Sequence, residues 1–204
     1  MRAMFSAFGL GSCTDGMLAR YSAINEGYWK KLERGEITKG ALLVDRFRDF
    51  FAELGLDPAL AETFNARYLP ALGDTIVYRD DSLEIVKRLH GRVKQYVVSN
   101  GTVVAQTKKL RLSHLGEWMD GVFLSEELGA EKPSPAFFEQ VFAALPGLAK
   151  ADTLIVGDSL TSDMKGGLMA GVPTCWYNPG RLPRPADMAI AYEIQDLHQV
   201  FDLL

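Results

Sequence analysis

Apolar positions recur along this chain at two different periods, and the change between them divides it. Up to about residue 72 the spacing is helical throughout. Residues 1–8 read as the tail of a helix that Gly9 stops. Thr14 suits an N-cap, and after it Met17, Leu18, Tyr21, Ile24, Tyr28, Trp29 and Leu32 repeat at steps of three and four. Gly35 interrupts that run. Thr38 can cap the next helix, with Leu42, Leu43, Phe47, Phe50, Phe51 and Leu54 on its apolar side and Gly55 as its stop. Asp57 and Pro58 open a third helix carrying Leu60, Phe64, Tyr68 and Leu69, with proline in its first turn.

After about Gly73 short apolar runs alternate with helical ones. Residues 82–90 predict a helix, with Leu83, Ile85, Val86 and Leu89 inward. Residues 95–98 predict a strand, 103–112 a helix, 121–124 a strand and 135–145 a helix. A strand at 153–157, in which Leu154, Ile155 and Val156 read as buried, leads to a helix after Asp163. A strand at 172–177 and a last strand or helix pair from about Met188 close the chain, with a surface loop at 181–185. Such alternation predicts a doubly wound parallel α/β sheet, so the expected division is a helical unit at 1–73 and an α/β unit at 74–204.

Composition narrows the function. A net charge of −4 without any lysine–arginine cluster argues against a general nucleic-acid binder. No apolar run reaches the length of a membrane span, and the amino terminus lacks a signal-peptide pattern, so a cytoplasmic protein is expected. Cys13 and Cys175 lie far apart and read as two incidental thiols, while His90, His114 and His198 form no local ligand motif.

The chemistry gathers at three strand ends. Ser99 follows the strand at 95–98, Lys132 follows the strand at 121–124 by a loop, and Asp158 and Asp163 follow the strand at 153–157. Open α/β sheets place ligands at the carboxyl ends of their strands. Singly, these residues read as a turn serine, a solvated lysine and two capping acids. Together they suit phosphate. The Ser99 hydroxyl and the N–H groups of Asn100 and Gly101 can take phosphate oxygens. Lys132 supplies a cation, and a pair of aspartates can hold Mg²⁺.

The runs Val98–Gly101, Ser125–Pro133 and Val156–Asp163 resemble the second, third and fourth motifs of the haloacid dehalogenase (HAD) superfamily. The likeness continues through Gly166–Gly167, Ala170–Gly171 and Thr174–Pro179. With Tyr28–Trp29 and Gly35–Thr38 of the helical unit, the chain is similar to the pyrimidine 5′-nucleotidase subgroup with a helical cap. The resemblance implies a HAD-type Rossmann-like core and Mg²⁺-dependent hydrolysis of small phosphate monoesters, pyrimidine nucleoside monophosphates such as UMP, dUMP or dTMP in first place. It implies Asp158 as the direct Mg²⁺ ligand, Asp163 as an acid orienting water or Lys132, Ser99, Asn100, Gly101 and Lys132 as phosphate-binding residues, and Lys132 and Ser99 as catalytic ones too. Within the cap, Tyr21, Asn25, Tyr28 and Trp29 are either base-contacting residues or core. A phosphatase of the phosphoglycolate type and a non-catalytic binding relative are the other readings.

The superfamily's first motif, a hydrophobic strand ending in Asp-x-Asp-x-Thr, has no counterpart. Cys13–Leu18 mimics it superficially, but no strand pattern precedes it and cysteine stands at the nucleophile's place. The resemblance therefore implies a chain shortened by roughly two dozen residues. The absent strand would lie between those ending at Ser99 and Asp158. This chain alone is then expected to be poorly stable and without turnover.

Overall fold

Capping side chains set the helix boundaries in the amino-terminal part of the computed structural model, which describes residues 1–204. Helix α1 (Arg2–Ala7) ends ahead of Gly9, which takes a left-handed φ of +66°. Helix α2 (Asp15–Glu33) starts where Thr14 Oγ1 accepts from the N–H of Met17 at 3.2 Å. Helix α3 (Lys39–Glu53) starts where Thr38 Oγ1 accepts from Ala41 at 3.2 Å. Asp57 opens a short 3₁₀ turn, Pro58–Leu60, that runs into α4 (Ala61–Leu72). Each capping side chain satisfies an N–H that the helix cannot.

These helices bury an aromatic core. Phe5, Phe47, Phe50, Phe51 and Phe64 are fully buried, and Tyr21 stacks on Phe47 with ring centroids 5.2 Å apart. Each such phenylalanine contributes about 1.5–3 kcal/mol over an exposed one. Tyr21 is therefore core, which decides between the two readings of that residue, and burial raises its hydroxyl pKa. Asn25 is committed as well, because its Oδ1 accepts from Arg46 at 2.7 Å. Tyr28 donates its hydroxyl to Asp49 at 2.7 Å.

The chain divides into two compact units, Met1–Asp74 and Thr75–Leu204. The second alternates helix and strand: α5 (Ser82–Leu89), β1 (Tyr96–Ser99), α6 (Val103–Leu112), β2 (Gly121–Leu124), α7 (Ser125–Leu128), α8 (Pro135–Ala143), β3 (Ile155–Gly157), α9 (Lys165–Ala170), β4 (Thr174–Tyr177) and β5 (Tyr192–Ile194). A 3₁₀ segment, Leu197–Leu203, ends it. Every strand pair is parallel. Strand β1 pairs with β2 in the register Tyr96 to Gly121, and β3 pairs with β4 from Ile155 to Thr174.

The strands nevertheless form two sheets, β1–β2 and β3–β4–β5, with no ladder between β1 and β3. A cavity of about 610 Å³ lies between those two strands. Val156, expected to be buried, is 41 % exposed for this reason. Ile155, its neighbour, is buried with Phe137, Phe138, Val141, Met164 and Trp176 in the core of this unit.

Two element boundaries also differ from expectation. Gln95 precedes its strand because its side-chain amide is drawn to backbone carbonyls, donating to Val86 at 2.9 Å and Trp118 at 3.2 Å. The helix expected after Asp163 starts earlier. Ser159 Oγ caps Ser162 at 3.1 Å, and Leu160–Met164 winds as a single π-helical turn before α9. No helix is long and apolar enough to cross a membrane.

Candidate active site

Strand β1 ends in Ser99, and the chain turns there on its own side chain: Ser99 Oγ accepts from the N–H of Gly101 at 3.0 Å. The Gly101 N–H, offered by the sequence as a phosphate donor, is thus engaged inside the turn. A Cβ at Gly101 would also meet the Gln106 amide nitrogen at 2.2 Å, so a larger residue there would have to displace that side chain. The Ser99 hydroxyl keeps its own proton free to donate.

Asn100 is buried and does something its sequence context does not reveal. Its Oδ1 accepts from the Lys132 N–H, and its Nδ2 donates to the Lys132 carbonyl, both at 2.8 Å. One side-chain amide thereby satisfies both backbone groups of a residue 32 positions away. It fixes the loop after α7 against the end of β1, and so places Lys132.

Lys132 is itself buried. Its Nζ donates to the carbonyl of Val98 at 2.9 Å and to Asp163 Oδ1 at 2.6 Å. The second contact is an ion pair in which neither side chain is more than 12 % exposed. Burying both charges is costly unless their remaining hydrogen-bonding capacity is met. Asp163 meets part of it, since its Oδ2 accepts from the N–H of Ser159 at 3.2 Å. The π turn swings this carboxylate back over the end of β3, where a Cβ on Gly157 would lie 2.4 Å from Asp163 Oδ2. Gly157 thus leaves room for the carboxylate.

Asp158, by contrast, points into solvent at the end of β3 and shares its carboxylate with no partner in its own fold. Its backbone carbonyl accepts from Trp176 Nε1 at 3.1 Å, which anchors the residue to β4. The two aspartates expected to act together therefore differ: Asp163 is occupied by Lys132 and Ser159, and Asp158 is free. No third His, Cys, Asp or Glu joins them in a cluster. That donor set fits Mg²⁺, which keeps several waters and takes one or two protein carboxylates, better than a cation needing an all-protein cage.

Three strand ends thus converge through Lys132, which reaches Val98 on β1 and Asp163 beyond β3 from the loop after β2 and α7. The pattern of the haloacid dehalogenase-like hydrolase family matches residues 11–171. The chain belongs to this family. Among similar proteins, YfnB of Bacillus subtilis, described as a HAD-hydrolase, is 36 % identical over 193 residues, covering 94 % of this chain and 81 % of YfnB. The pyrimidine 5′-nucleotidase PynA of Streptococcus pneumoniae is 34 % identical over 188 residues, covering 90 % of this chain and 78 % of PynA. A crystal structure of YfnB bound to magnesium superposes with a TM-score of 0.89 at 34 % identity, covering 100 % of this chain and 88 % of that one. In this HAD-like chain the Rossmann-like core and helical cap are those of the family.

Asn100 and Ser162 are the site residues that sequence reasoning missed as side chains, Ser162 receiving a 3.4 Å contact from Asn100 Nδ2. The signal for Asn100 was an asparagine at a strand end, a position where turns also favour it.

Proposed function

We propose that this chain is the metal- and phosphate-holding part of a Mg²⁺-dependent phosphatase acting on pyrimidine nucleoside 5′-monophosphates. The observation that carries the reading is the position of Lys132: a buried cation at the carboxyl ends of parallel strands, held between Val98 O and Asp163 Oδ1, with the free carboxylate of Asp158 nearby in sequence and fold. The substrate class is supported by two relatives. PynA is one, and the pyrimidine 5′-nucleotidase YjjG of Escherichia coli, 27 % identical over 184 residues, is the other.

In this reading Asp158 holds Mg²⁺, which supplies positive charge to a phosphate dianion. Asp163 fixes the Lys132 ammonium and lowers the cost of burying it, so that the cation is preorganised where charge is to be stabilised. Ser99 donates its hydroxyl to a phosphate oxygen while its lone pair holds the Gly101 N–H. Asn100 positions Lys132 through its backbone. No hydrophobic strand ending in Asp-x-Asp-x-Thr stands beside these groups in the 204 residues, so this chain alone is proposed to bind phosphate without turning it over.

The test is phosphate release from UMP with and without Mg²⁺, alongside reading the DNA upstream of Met1. Turnover at an ordinary enzymatic rate by these 204 residues would refute the proposed inactivity. An in-frame hydrophobic run ending in Asp-x-Asp would supply the nucleophile. With that segment restored, equal rates on UMP and on simple sugar phosphates would refute the nucleotidase assignment in favour of a general small-metabolite phosphatase. A stop codon immediately upstream would favour the non-catalytic reading.

A further inference from the structure

The turn between β1 and α6 spends backbone donors on the chain itself. The Gly101 N–H goes to Ser99 Oγ at 3.0 Å. The Val103 N–H, in the first turn of α6, goes to the Glu126 carboxylate on α7 at 2.7 Å. Groups of this kind are what a helix start offers a phosphate. A side chain remains uncommitted beside them. Gln106, at the fourth position of α6, bends back over Gly101: its Nε2, Cγ and Cδ stand 2.2, 2.8 and 2.9 Å from where a Cβ on Gly101 would be. Its carboxamide is half-buried there and makes no hydrogen bond with the rest of the chain. Gly101 has no left-handed φ that would call for glycine, so what its missing side chain provides is room for this amide.

We propose that Gln106 is a further phosphate-binding residue, its side-chain NH₂ donating to a phosphoryl oxygen of the bound monoester beside the Ser99 hydroxyl, in place of the Gly101 N–H that the turn has used. The inference rests on the phosphate-holding reading of these strand ends. Lys132 has one N–H left after Val98 O and Asp163, and Ser99 has its hydroxyl proton, while a phosphoryl group presents three strong acceptor oxygens. The Gln106 amide adds a donor on the side of Gly101. No bond within the chain fixes which end of that amide faces the turn, so an anion there draws its NH₂ end. A side-chain donor also differs from a backbone one in a useful way: it can be removed without altering the turn that holds Ser99.

The test is calorimetric titration of the 204-residue chain with inorganic phosphate in a Mg²⁺ buffer. Gln106→Met keeps the side chain's length and removes its NH₂. It is expected to leave the melting temperature unchanged and to weaken phosphate binding about tenfold, as the loss of one hydrogen bond to a charged group does. Gln106→Glu sets a carboxylate against the anion and should weaken binding further. Gly101→Ala puts a Cβ where the amide lies; it should match Gln106→Met, and the double variant should bind no worse than either single one. In the parent, the Gln106 side-chain amide resonances should shift as phosphate saturates, a change that a merely structural role would not give. Binding by Gln106→Met equal to the parent's, with Ser99→Ala weakened, would overturn the proposal and leave the phosphate site standing. Unmoved Gln106 resonances at saturation would also overturn it. So would a Gln106→Met chain weakened toward UMP but not toward inorganic phosphate, since the amide would then read the organic part of the ester. A parent chain that binds no phosphate would overturn this proposal together with the reading it rests on.

Discussion

Lys132 and Asp163 are the residues on which the site depends, and they depend on each other. Removing one partner of a buried ion pair leaves the other charge uncompensated, at about 3–5 kcal/mol. Lys132→Met is therefore expected to lose about that much in urea unfolding, and Lys132→Met with Asp163→Asn less than the sum of the two single losses. Additive losses would mean that the pair is not coupled. Asn100→Ala strips partners from two buried backbone groups of Lys132, and a loss of about 1–3 kcal/mol is expected from the same measurement. Asp120 gives the pH-dependent case. Its carboxylate accepts from Lys94 at 2.7 Å and from the Gln95 N–H at 2.8 Å, contacts that hold its pKa below the ordinary 3.8. A depressed carboxylate stabilises the fold above its unfolded pKa, and that contribution is lost as pH falls through the folded pKa. Asp120→Asn should lower the melting temperature at pH 7, with the gap to the parent closing as the pH is taken below about 4. A gap that does not narrow would place the effect outside the charge. Cys175 on β4 is pushed up to about 11 by burial, so it is expected to resist alkylation in the native protein at pH 8.

At the scale of elements, local signals were well legible and long-range ones were not. Thr14, Thr38 and Asp57 act within three residues, and Gly9, Gly35 and Gly55 adopt the left-handed φ that their helix-stop positions require. Thr38→Ala is accordingly expected to cost about 1 kcal/mol in thermal unfolding, against about 3–5 kcal/mol for Phe64→Ala in the aromatic core. Strand ends were legible because apolar runs stop abruptly, and that placed Ser99, Asp158 and the Lys132 loop on one edge. Three things were hidden. Asn100 finds its partner 32 residues away. The π turn that carries Asp163 depends on how it meets Gly157, which no local periodicity encodes. Arg46, almost fully buried and held by Asn25 and Asn65 beneath the rings of Phe47 and Tyr68, reads in sequence as an ordinary solvated position on α3.

For the whole molecule, the division into β1–β2 and β3–β4–β5 sets how the second unit holds together. The sheets exchange no ladder bonds, so side chains bridge them instead. Lys132 and Asn100 do so at the carboxyl end, Lys132 joining Val98 to Asp163 and Asn100 reaching Ser162. That arrangement gives the unit a seam. Moving one sheet against the other along the seam breaks side-chain contacts, including the apolar packing of Val98 and Phe123, and no ladder, whereas sliding β3 past β4 breaks a ladder. Under tension applied across it, the unit is expected to part between the sheets before either ladder unravels, and that parting would break the contacts that position the Lys132 ammonium. The contacts that position the Lys132 ammonium are thus also contacts that join the two sheets.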